Sequence, residues 1–148
     1  MNNYKKDFNA FLENFKKHVS KAGLKNSIQK DYILKILYFA DEHLSVDQIA
    51  NDVKVKYKID IGIATVYRSM KFFEELNIVE SLDVGDGVKR YELNLSLHHD
   101  HLVCTSCGKI IEFTDEIIEE QQLKVASDNN FDLKDHVMTI YGICEDCQ

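Results

Sequence analysis

The chain contains no proline, so its turns have to be made by Gly, Asn and Asp. It has no uninterrupted apolar run of the roughly 18 residues that a membrane-spanning helix needs. Its first thirty residues are polar and charged and lack the apolar core of a secretory leader. A cytoplasmic protein without a membrane partner is therefore expected. Internal repeats and low-complexity tracts are also missing, which excludes a solenoid or a linker-dominated chain. Cysteine is scarce, with four among 148 residues. In a reducing compartment paired thiols bind metal or do redox chemistry more often than they form disulfides.

The net charge of -7 argues at first against a nucleic-acid partner. The charge is unevenly distributed, however. Residues 1–97 carry 15 Lys and Arg against 14 Asp and Glu, whereas residues 98–148 carry 3 against 11. Within residues 1–35, eight lysines face only Asp7, Glu13 and Asp31. A basic N-terminal part of this kind suits phosphate, or equally a solvated lysine-rich helix face.

Apolar spacing divides the chain into elements. Phe8, Phe11, Leu12 and Phe15 recur at helical intervals until Ala22-Gly23-Leu24, and Ile28 to Phe39 forms a second stripe. Ser45-Val-Asp-Gln48 reads as a capping box opening a third helix that runs to about Tyr57. In GIATVYRSMKFFEELN, Val66, Met70, Phe73 and Leu76 mark a buried stripe, while Tyr67, Arg68 and Lys71 project elsewhere. β-prone runs flank Gly85-Asp86-Gly87 as in a hairpin. Helices followed by a hairpin give the order of a winged helix-turn-helix, whose last helix is the natural groove reader. Beyond a hinge at 94–97, the sequence suggests a strand pair (LVCTSC, GKIIEF), a helix (TDEIIEEQQLKVASDNN) and a last strand (HVMTIYGIC). The expected fold is α+β. A winged-helix domain covers residues 1–93, and a small α/β domain with an antiparallel sheet covers residues 98–148.

Cys104-Thr-Ser-Cys107 and Cys144-Glu-Asp-Cys147 are two C-x-x-C pairs separated by 36 residues. Each presents two thiolates at a turn, and two such turns complete a closed tetrahedral zinc site. A redox dithiol would not need the second pair. Just before them stands His98-His99-Asp100-His101. If this run is extended, its period of two puts His99 and His101 on one side and His98 and Asp100 on the other. Glu92, Glu112 and His43 are candidate partners for the first pair, and Glu119 and His136 for the second. Such nitrogen- and oxygen-rich sets suit Fe(II), Mn(II), Co(II) or Zn(II). A zinc hydrolase or deaminase is not expected, since no H-x-E is paired with a P-C-x-x-C.

GIATVYR (62–68), RYEL (90–93), HHDH (98–101), CTSCGKIIEF (104–113) and the terminal CEDC together resemble the ferric uptake regulator family. The resemblance runs from about Gly23 to Cys147. It implies a metal-responsive, non-enzymatic transcriptional repressor that forms a homodimer or tetramer through its C-terminal domain and binds a pseudo-palindromic operator in double-stranded DNA. It also sorts the ligands. Cys104, Cys107, Cys144 and Cys147 resemble the structural Zn(II) site. His43, Glu92, His99, His101 and Glu112 resemble the regulatory site, with Fe(II) as corepressor and Mn(II), Co(II) or Zn(II) as substitutes. His98, Asp100, Glu119 and His136 resemble an additional site. For DNA the resemblance implies Thr65, Tyr67 and Arg68 on the reading helix and Lys25 at the minor groove. The segment GLKNSIQKD departs from the family pattern by having Ser27 and Lys30, and the longer N-terminus adds Lys5, Lys6, Lys16 and Lys17 as further backbone contacts. Glu92 and Glu112 favour iron control over peroxide sensing. A peroxide-, zinc- or manganese-sensing member is the alternative within the family. A zinc-stabilised metal buffer or interaction module without DNA binding is the alternative outside it.

Overall fold

The computed structural model describes residues 7–95 and 98–148. Lys5 and Lys6, and Ser96 and Leu97 of the expected hinge, lie outside the described residues. By their contacts the residues fall into two units. The first runs to Asp83 and resumes at Val88–Leu95, and the second takes the turn Val84–Gly87 and the chain beyond the hinge.

The first unit is built on four helices. Helix α1 (Phe8–Lys21) is capped by Asp7, whose carboxylate accepts from the Ala10 N–H at 3.0 Å, and it ends before Gly23, whose φ of +71° turns the chain. Helix α2 (Ile28–Phe39) starts at Ser27 and buries Ile33, Leu34, Ile36, Leu37 and Tyr38. Helix α3 (Val46–Tyr57) opens with the expected capping box. The Gln48 N–H donates to Ser45 Oγ at 3.3 Å, and the Ser45 N–H donates to Gln48 Oε1 at 2.8 Å. Helix α4 (Ile63–Glu75) buries Val66, Ser69, Met70 and Phe73, and the Phe73 ring meets Phe15 of α1 edge-on at 5.7 Å. Helix α1 thus shares the core of this unit instead of lying outside it.

A short antiparallel sheet closes the unit in the order β1-β3-β2 (Leu44–Ser45, Lys89–Leu93 and Val79–Asp83). The two-residue β1 was not evident from the sequence, because so short a strand is defined only by its partner. Its register pairs Leu44 with Tyr91 and Ser45 with Arg90. Of the expected hinge, Asn94 is fastened to this sheet, its N–H donating to the Ile78 carbonyl at 2.9 Å.

In the second unit, β4 (Asp100–Cys104) lies between β5 (Ile110–Phe113) and β6 (Thr139–Gly142), and α5 (Glu116–Asp128) connects β5 to β6. The expectation of an antiparallel sheet holds for β4 with β5 and fails for β6, which runs parallel to β4. The helical connection is the reason: α5 carries the chain across, so β6 can return in the direction of β4. This unit has little apolar interior. Val103 and Cys104 of β4 are buried, but α5 has no buried residue at all.

Replacing Ser45 by Ala removes the capping hydroxyl and is expected to cost about 1 kcal/mol. The denaturant midpoint of the helical unit should fall at unchanged slope. An unchanged midpoint would mean that the Gln48 contact alone secures the start of α3.

Candidate metal centres

The parallel pairing of β4 and β6 sets Cys104 opposite Gly142 and so brings the end of the chain to the first C-x-x-C turn. The Thr105 N–H donates to the Gly142 carbonyl at 2.9 Å, and the Cys144 N–H points at Cys104 Sγ at 3.3 Å. Cys107 Sγ and Cys144 Sγ are 3.7 Å apart, and all four sulfurs lie within 4.8 Å of one another. Zinc–sulfur bonds of about 2.3 Å in a tetrahedron separate the sulfurs by about 3.8 Å, so this cradle fits such an ion.

The four thiols are not equivalent as acids. Backbone N–H groups, that of Cys107 first and that of Cys144 next, draw Cys104 down to about 6. Desolvation, followed by hydrogen bonding with Cys147, pushes Cys144 up to about 12. Cys104 thus offers a thiolate at neutral pH, and the ion itself would have to displace the proton of Cys144.

Parity along His98–His101 sorts the four polar residues as expected, although only Asp100 and His101 belong to β4 proper. On one side, His98 Nε2 is 3.3 Å from Asp100 Oδ1 and 3.5 Å from Glu119 Oε1. His136 Nε2 is 3.4 Å from Glu119 Oε1 and 3.7 Å from Asp100 Oδ1. The four ligand atoms fit within 4.8 Å. Asp100 is 1% exposed, yet neither of its carboxylate oxygens has a hydrogen-bond partner among the described residues, nor do Glu119 Oε1 and His136 Nε2. A buried carboxylate left without hydrogen bonds is costly. A divalent cation coordinated by two imidazoles and two carboxylates would satisfy all four groups. Gln122, one helical turn after Glu119 on α5, also has a buried Oε1 with no hydrogen-bond partner among the described residues. Nothing in the sequence separates it from Gln121.

On the other side of the same run, the His99 and His101 rings stand 4.9 Å apart, and His99 Nε2 is 3.8 Å from Glu112 Oε1. Glu112 is also the register partner of His101 across β4 and β5. In the first unit, His43 precedes β1 and Glu92 lies on β3, so the short β1–β3 ladder sets them side by side, with Nε2 to Oε1 at 3.1 Å. Each unit therefore carries its own imidazole–carboxylate group.

The DNA candidates sit on α4 and on the turn before α2. Tyr67 is 56% exposed, and the Arg68 guanidinium donates from Nη2 to Thr65 Oγ1 at 3.2 Å, so Thr65 steadies the arginine. No acidic residue occupies the first turn of α4, which leaves the positive end of its dipole uncompensated. Lys25 is exposed in the turn beyond Gly23. Other N-terminal lysines have structural work. Lys16 pairs with Asp31 at 3.1 Å, Lys30 lies over the Phe72 ring at 4.6 Å, and Lys35 lies between Phe8 and Tyr57. The phosphate contacts expected of Lys16 and Lys30 would therefore compete with these bonds.

A helical unit that exposes Tyr67 and Arg68, joined to a unit rich in candidate ligand sets, is consistent with a metal-dependent regulator. The chain belongs to the ferric uptake regulator family, whose members are metal-dependent transcription regulators, and the family model matches residues 21–141. It is 42% identical to the ferric uptake regulation protein of Campylobacter jejuni over 142 residues, covering 95% of this chain and 90% of that protein. The structure of the Helicobacter pylori ferric uptake regulator, reported with three functional metal-binding sites, superposes with a TM-score of 0.86 at 34% identity, covering 99% of this chain and 97% of that one. The Francisella tularensis regulator with iron gives a TM-score of 0.74 at 34% identity, covering 84% and 95% of the two chains.

Replacing Asp100 by Asn removes a buried negative charge and one ligand. The variant is expected to bind Co(II) or Mn(II) at this cluster at least about tenfold more weakly, a loss of about 1.4 kcal/mol, while the thermal stability of the metal-stripped protein does not fall. Isothermal titration and a melting curve test both. Unchanged metal affinity would exclude Asp100 as a ligand.

Proposed function

We propose that the protein is an Fe(II)-responsive, DNA-binding transcriptional repressor of iron uptake genes, acting in the cytoplasm as a homodimer. Residues 1–93 form its DNA-binding domain, 94–97 its hinge and 98–148 its dimerisation domain. The observation that carries this reading is the placement of metal-competent groups on both sides of the hinge in the sequence, in a chain that also exposes Tyr67 and Arg68 on α4. The identity with a ferric uptake regulation protein and the likeness to an iron-bound relative support iron as the metal.

Cys104, Cys107, Cys144 and Cys147 would hold a structural Zn(II). His43 and Glu92, with His99, His101 and Glu112, would hold the regulatory ion, for which Mn(II), Co(II) or Zn(II) could substitute. His98, Asp100, Glu119 and His136 would hold a third ion. Bound at the regulatory set, an ion supplies coordination bonds to ligands from both domains, and the freedom of the hinge falls accordingly. The DNA-binding residues have separate tasks. Tyr67 offers an aromatic surface to thymine methyl groups, Arg68, steadied by Thr65, offers a fork to guanine or phosphate, and Lys25 reaches toward the minor groove. Two such helices, set one helical turn or a multiple apart, match a pseudo-palindromic operator.

The sheet of the second unit supports the dimer. Ile111, Leu102 and Ile140 stand in register across β5, β4 and β6, and all three are exposed in the single chain at 45%, 38% and 42%. Ile117, Leu123 and Val125 of α5 are exposed as well. A unit with so little interior of its own gains one by pairing these apolar surfaces.

Fluorescence anisotropy with palindromic DNA tests the function. Protein holding only its cysteine-bound zinc is titrated under anaerobic conditions, with and without Fe(II) or Mn(II). Metal should tighten binding at least about tenfold, or about 1.4 kcal/mol, and Arg68→Ala should abolish the binding while fold and zinc persist. Tight DNA binding that ignores metal would overturn the corepressor role, and no binding under any condition would leave a metal buffer. Separately, Leu102→Asp places a charge in the middle of the apolar row and should convert dimers to monomers in light scattering. A variant that stays dimeric would move the interface elsewhere.

A further inference from the structure

The second unit is strongly acidic, with Lys109, Lys124 and Lys134 as its only cationic side chains beyond residue 97 apart from histidine. Lys134 pairs with Asp132, and Lys124 lies on α5. Lys109 alone stands at the cysteine cradle. Its backbone closes the first C-x-x-C turn, with the Cys104 N–H donating to the Lys109 carbonyl and the Gly108 N–H donating to the Cys104 carbonyl, both at 2.9 Å. Its side chain crosses to the second turn, where Nζ donates to Asp146 Oδ2 at 3.2 Å, between Cys144 and Cys147 in sequence.

Four thiolates around one divalent ion leave a formal charge of minus two, here inside a unit that is already acidic. A cation beside the thiolates offsets part of that charge, as outer-shell groups do at other metal sites. We propose that Lys109 is the charge-balancing residue of the cysteine centre: anchored by Asp146, its ammonium spans the two C-x-x-C turns and offsets the negative charge that four thiolates carry around a bound zinc. Lys109 follows Cys107 by two residues, Asp146 lies between Cys144 and Cys147, and Lys109 lines one cavity together with Cys104 and Cys144. A half-exposed lysine paired only with a carboxylate contributes little. A lysine held between the two cysteine turns would have the zinc-bound thiolates as a second partner beside Asp146, and that partner distinguishes the proposed role from an ordinary surface ion pair.

The inference rests on the assignment of zinc to the four cysteines, and the test keeps the two apart. Full-length protein and the variants Lys109→Met, Lys109→Arg and Asp146→Asn are dialysed against EDTA, and zinc per chain is measured. Zinc is then partitioned against a chromophoric chelator at fixed pH and salt. Wild-type protein that retains no zinc would overturn the zinc assignment itself. With zinc retained, Lys109→Met should lose zinc to the chelator about three- to fivefold more readily. Lys109→Arg should stay near wild type, and Asp146→Asn, which keeps the cation, should lose less than Lys109→Met. Equal losses in Lys109→Met and Asp146→Asn would reduce the contact to a surface ion pair and overturn the proposal, as would no loss in either. Circular dichroism of the zinc-loaded variants shows that the comparison is made on folded protein.

Discussion

The second unit depends on the convergence of four sulfurs. Its helix has no fully buried residue, and its sheet buries only a few side chains, so apolar burial alone offers it little against the entropy of ordering some fifty residues. The two C-x-x-C turns lie together, and an ion held by them would join the first strand of the unit to the last residues of the chain. A cross-link between positions so far apart in sequence removes much of the freedom of the unfolded chain at one point in space. The first unit has no such need, since aromatic and aliphatic side chains from four helices interdigitate there.

This difference in how the units are stabilised suits a regulator. A unit with its own core can hold α4, the proposed reading helix, in a fixed shape whatever its surroundings. A unit with little interior of its own, if stabilised by ions and by a second copy as proposed, would respond to both. The histidine–carboxylate groups belong mostly to the second unit, where the Asp100 carboxylate is buried among them.

Much of this could be read in the sequence, and the reasons for the rest are specific. The capping box at Ser45 and Gln48 was legible because it is local, and the sorting of His98 to His101 was legible because side chains in extended chain alternate whatever they pack against. The direction of β6 was not, since alternation carries no sign and a strand has the same pattern whether parallel or antiparallel. The strand β1 was missed because two residues have no period. The lysines of the N-terminal region were legible as charge but not as contacts. Whether Lys16 faces phosphate or Asp31 depends on a neighbour fifteen residues away, and Lys30 on an aromatic ring in another helix. Lys109 was visible only as part of a motif, and its partner Asp146 became apparent when the sheet brought the two turns together.

The alternation of His98, His99, Asp100 and His101 has a consequence for how this segment can change. Each of two ligand sets draws on every second residue of one short run, and the same strand then continues into Leu102 of the exposed row and Cys104 of the cradle. Inserting or deleting a single residue here would rotate all of these groups to the wrong side at once. Four surfaces are thereby tied to one count of residues. A substitution along this run removes one ligand at a time, but a change in its length displaces several together, whereas the connection between α5 and β6 carries no such constraint except at His136.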